Sequence, residues 1–199
     1  GGAAGRLSGE AELDGRGRFG GGILLLTAAP TLRRLILADN TANYGGGIYA
    51  LQLSPSIADC RFLRNTAGVG AGAFLEMTDR PVLERCEFQQ NSGVFGGGIA
   101  LYAGGAEVRD CRFTGNEGAE GGALRLLDCS AATRVVRCLF WRNVAGEGSL
   151  VHARGSLLEL ESCTAMDNGQ TGADPAAVYL DPPSAGFVRR TIFARTRLG

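Results

Sequence analysis

The sequence has no lysine, one histidine and one tryptophan, and its twenty basic residues, all arginine, are balanced by twenty acidic ones. A net charge of zero excludes the basic excess or stripe on which nucleic-acid binding depends. No apolar run is longer than Ile23 to Ala29, far short of the roughly 20 residues that span a bilayer, so this segment is not expected to insert into a membrane. No basic-then-apolar leader opens the chain; the expectation is a soluble mature chain or a slice of a longer one. G-x-S-x-G, H-E-x-x-H, G-x-x-x-x-G-K-[ST] and the D-x-D-x-D-G calcium loop are also missing, and with them the nucleophile elbow, the zinc-protease helix, the phosphate loop and the EF-hand. No cofactor or metal is expected from motifs. What the chain has in abundance is glycine, 32 of 199 residues without a collagen triplet. That composition marks a fold with many tight turns.

The glycines belong to a repeat. Segments beginning at Cys60, Cys86, Cys111, Cys138 and Cys163 align, with Phe two residues on in four of them (Phe62, Phe88, Phe113, Phe140). Asn lies five residues after each Cys, and the column reads Asn40, Asn65, Asn91, Asn116, Asn143 and Asn168, at spacings of 25, 26, 25, 27 and 25. Weaker copies lie upstream, from Phe19 to Ile23, and at the end, at Thr191, Phe193 and Thr196. Each unit holds two short apolar stretches that alternate with period two, a strand signal. Helical repeats have a different period, and the leucine spacing of leucine-rich repeats is missing. The reading is an all-β chain, a parallel β-helix solenoid of about seven to eight rungs of roughly 25 residues, a rod roughly 35 Å long at the usual strand spacing.

In such a coil each slot becomes a ladder. The Cys slot (Cys60, Cys86, Cys111, Cys138, Cys163) is expected inside, reduced and buried, beside the stacked Phe slot; thiols spaced a rung apart do not converge on one zinc ion. Leu32, Ile57, Leu83, Val108, Val135, Leu160 and Val188 form a third inward slot. Asn is expected at a left-handed turn, its amide bonding to the amides above and below. Asp59, Arg85, Asp110 and Arg137 alternate in sign in one outward slot, as do Arg61, Glu87 and Arg112, which suits in-register stacking. Cys129 stands outside the ladder and is expected to be the exposed thiol.

One face carries candidate chemistry. The strand after each Gly cluster points outward through Tyr49, Phe74, Ala100, Arg125, His152 and Tyr179, and two residues on through Leu51, Glu76, Tyr102, Leu127, Arg154 and Asp181. An exposed surface is expected there, with Tyr49, Phe74, Tyr102, Arg125, His152, Arg154 and Tyr179 as binding residues. Glu120 and Glu147 share a slot, with Glu117 nearby, and read as a turn-exposed acidic cluster.

The pairing of F-x-x-N with G-G-[AG]-[IL], at Phe88 to Asn91 with Gly97, Gly98 and Ile99, and at Phe113 to Asn116 with Gly121 to Leu124, resembles the repeats of the polymorphic outer-membrane protein family of autotransporter adhesins. It is also similar to the wider pectin-lyase-like superfamily. The resemblance, over about residues 15–199, implies a right-handed, three-sheet solenoid and an extracellular or cell-surface setting; the expectation for residues 1–199 is a single β-helix domain, a segment of a longer rod. Coils varying only between 25 and 28 residues leave no long loops to wall a cleft. The functional expectation is therefore a non-catalytic rod in adhesion, assembly or glycan binding, with a glycan or surface protein as partner. The alternatives are a polysaccharide lyase or glycoside hydrolase using Arg125, His152 and Glu147, or a filament subunit that associates end to end.

Overall fold

The computed structural model describes residues 11–12, 18–26, 29–170 and 176–195; Thr196 of the last weak copy lies outside them. The described elements are all short β-strands. Each coil is a circuit of four strands. In the third, Thr66–Val69 lies in sheet I, Ala73–Glu76 in sheet II, Val82–Glu84 in sheet III and Glu87–Gln89 in sheet IV. Equivalent strands of successive coils are parallel and in register, so Ala73 pairs with Ile48 on one side and Ile99 on the other. Seven strands make up each of sheets II, III and IV, and sheet I has an eighth, Ala11–Glu12, antiparallel to Arg18–Phe19. Alternation in the sequence distinguishes two stretches per unit and the family resemblance implies three sheets; the structure has four.

The fourth sheet arises because a left-handed residue breaks the apolar stretch just before each Cys. Arg34, Asp59, Arg85, Asp110, Arg137, Ser162 and Arg190 have φ between 49° and 57° there. A second left-handed corner precedes each Asn, at Asp39, Arg64, Gln90, Gly115, Arg142 and Asp167. This corrects the expectation for asparagine, since the residue before it takes the strained conformation. A non-glycine residue in that region costs about 1–2 kcal/mol, offset by the inward side chain that follows. Among the described residues, the corner between sheets I and II is the one held by glycine in coil after coil, at Gly20, Gly45, Gly70, Gly96, Gly121 and Gly148. At Gly45, with φ +65°, a Cβ would meet the Ile48 carbonyl oxygen at 2.3 Å.

The inward slots form the expected core. Phe62, Phe88, Phe113 and Phe140 stack face to face at 4.5, 4.9 and 5.0 Å, within 8° of parallel. Ile57, Leu83, Val108, Val135 and Leu160 are buried, while Val188 on the last described coil is 48 % exposed. All five ladder cysteines are buried and unpaired. Their thiols lie against backbone carbonyls, as Cys111 Sγ does at 3.3 Å from Arg109 O. Cys129 is buried too, at 5 % exposure, which corrects the exposed-thiol expectation. It follows left-handed Asp128 at another corner, in an inward column shared with Ser156, whose hydroxyl accepts its N–H. Burial raises its pKa. Outside, Arg85 donates two bonds to Asp59 at 2.7 and 3.0 Å, and Arg137 two to Asp110 at 2.7 Å, as the sign alternation predicts.

Candidate functional site

The glycine corner turns the outward faces of sheets I and II toward each other. The last residues of six successive sheet I strands form a column of Phe19, Tyr44, Val69, Phe95, Glu120 and Glu147. Across the corner runs the sheet II column of Leu24, Tyr49, Phe74, Ala100, Arg125, His152 and Tyr179, in the register read from the sequence. The two columns touch: Phe19 stacks on Tyr44 at 5.0 Å and meets Tyr49 at 4.9 Å, and Tyr49 meets Phe74 at 5.4 Å. The result is a groove parallel to the rod axis. Tyr49, Phe74, Ala100, Arg125 and His152 form its floor and are 5 % exposed or less. The expectation of an exposed face is corrected for these, because the sheet I column covers them; Tyr102 and Arg154 stay at the rim.

The groove changes character along its length. Its first coils are aromatic, a cluster of Phe19, Tyr49 and Phe74 with Tyr44, Val69 and Tyr102 packed on it. The Tyr49 hydroxyl donates to Glu76 Oε2 at 2.6 Å, which gives this buried polar group a partner. Ala100 then stands where neighbouring coils carry Phe74 and Arg125. The missing side chain opens a hollow of about 470 Å³ walled by Phe74, Phe95, Tyr102, Glu120, Arg125 and Arg154, among others.

Beyond the hollow the groove is charged. Arg125 donates from Nε to Glu120 Oε2 at 2.8 Å and from Nη1 to the Leu126 carbonyl at 2.6 Å. His152, 1 % exposed, donates from Nε2 to Asp181 Oδ2 at 3.0 Å, and its ring sits edge-on to Tyr179 at 5.0 Å. Its Nδ1 faces Glu120 Oε2 at 3.5 Å and Glu147 Oε2 at 3.6 Å. Glu120 and Glu147 therefore belong to the groove and are half-buried, while Glu117 is exposed at the far end of its strand.

All seven binding candidates lie in or beside this groove. Sequence reasoning missed its second wall, Phe19, Tyr44, Val69 and Phe95. The signal was present: each of these residues immediately precedes the invariantly placed Gly of its unit, as Glu120 and Glu147 do.

The architecture defines a parallel β-solenoid with an axial groove. A family model for the right-handed β-helix region matches residues 16–140, and the chain belongs to that family. No curated protein matches the chain, and no solved structure matches it.

Proposed function

We propose that the chain is a non-catalytic, extracellular β-helix rod that binds a glycan in the axial groove. The observation that carries this reading is the hollow over Ala100. Phe74, Phe95 and Tyr102 offer aromatic faces to the apolar side of a sugar ring. Glu76, Glu120 and Arg154 stand where hydroxyls or a ring carboxylate would be met. A groove parallel to the rod axis and open at its rim suits a linear polymer rather than an enclosed small molecule. The experiment is a binding screen against neutral and acidic polysaccharides, with reducing ends and unsaturated products followed in parallel. Retention without product is expected. Ala100→Tyr, which fills the hollow, and Tyr102→Ala, which removes a rim ring, should each weaken retention about tenfold at unchanged melting temperature. Product formation abolished by Arg125→Ala or His152→Ala would replace this reading with an enzyme of the lyase or hydrolase type. Absence of retention would remove it.

A further inference from the structure

We propose that Glu120, Glu147 and His152 bind a divalent transition-metal ion at the charged end of the groove, with the imidazole coordinating through Nδ1. The inference stands independently of glycan binding. Its starting point is an orphaned atom. Among the described residues, His152 Nδ1 is buried and has no hydrogen-bond partner, while Nε2 is committed to the Asp181 carboxylate. A carboxylate accepts, so Nε2 carries a proton, and in the neutral imidazole the Nδ1 lone pair is directed at the two glutamates. A carboxylate behind the imidazole is the usual companion of a metal-bound histidine, orienting the ring and raising its basicity.

The spacing suits an ion rather than direct bonds. At 3.5 and 3.6 Å the Nδ1–carboxylate separations are too long for good hydrogen bonds. Three tetrahedral ligands at about 2.0–2.2 Å from a metal stand about 3.4 Å apart, and the three ligand atoms here lie within 4.8 Å of one another. Charge points the same way. With a neutral imidazole, Glu120, Glu147 and Asp181 carry three negative charges against the positive charges of Arg125 and the rim Arg154, and a bound cation offsets the excess. Arg125 also holds Glu120 in place through its 2.8 Å bond. One nitrogen and two oxygen donors select Zn²⁺ or Mn²⁺ over soft ions, and too few oxygens converge for Ca²⁺. No contiguous motif reveals this set, because its members come from two coils and two sheets.

The test is calorimetric titration of the chelator-treated chain with Mn²⁺ and with Zn²⁺, and Mn²⁺ is the cleaner probe because thiols bind it poorly. One equivalent is expected to bind. Glu147→Gln, at a half-exposed position that the fold does not depend on, and His152→Ala should each lower affinity at least about tenfold, and Asp181→Asn about 10- to 100-fold through the ring it orients. Tyr102→Ala should bind as the parent does. Absence of binding by both ions, affinity unchanged by Glu147→Gln, or preference for Ca²⁺ would overturn the proposal. So would nitrogen NMR showing both imidazole nitrogens protonated at neutral pH with the metal present, which would assign a histidinium paired with the glutamates.

Discussion

Asn116 shows how much one side chain does in this fold. Its Nδ2 donates to the Phe88 carbonyl and to Asn143 Oδ1, both at 2.9 Å, and its Oδ1 accepts from the Asn91 backbone N–H and the Asn91 amide. Asn65, Asn91 and Asn143 repeat the pattern, and all four are fully buried. Asn116→Ala removes four bonds and strands donors of Asn91 away from water, at about 1–3 kcal/mol for each orphaned group. A loss of about 3 kcal/mol or more in urea denaturation is expected, against less than about 0.5 kcal/mol for an exposed control such as Glu117→Ala. The ladder residues were legible because every coil places the same type in the same slot. Cys129 was not, since its column mixes Thr78, Gly104, Cys129 and Ser156 and offers no repeated letter to align.

Between residue and rod lie the columns that run along each sheet. The Arg–Asp columns were legible from sign alternation, because register alone decides which charges meet. The burial of Tyr49, Phe74, Arg125 and His152 was not legible, since period-two alternation says which residues point outward but not whether two outward faces converge. That convergence depends on the angle at the glycine corner, a property of backbone shape. The charge columns carry a pH signature. Hydrogen bonds from Arg64, Arg85 and Arg137 hold Asp39, Asp59 and Asp110 below their ordinary pKa of 3.8. With folded values depressed, the contribution is whole above the unfolded pKa and is lost as pH falls through the folded ones. Melting temperature should therefore be level from about pH 7 to 5 and fall below about pH 4. Arg85→Gln combined with Arg137→Gln should flatten that fall, and high salt should do so in part, because exposed pairs are screened. A fall just as steep in the double variant would assign it to other groups.

For the whole molecule, the coil is a one-dimensional stack in which each rung touches only its neighbours. A rung added by a second copy would continue the same ladders in a head-to-tail contact that need not close into a ring. End-to-end association, the alternative to a binding rod, therefore predicts a mass that rises with concentration in light scattering, and constant monomer mass at every concentration would exclude it.

The register of the Asn ladder has a kinetic consequence. Its bonds join residues 25 to 27 apart, and that separation is set by one circuit of the coil, whatever the number of coils. Mean contact separation relative to length, on the order of one eighth here, then falls as rungs are added, where in a sandwich or barrel it would hold. Loop closure costs the same for each added rung. Folding can nucleate in any pair of coils and spread by short closures in both directions, so that lengthening the rod raises its stability without adding a slower search.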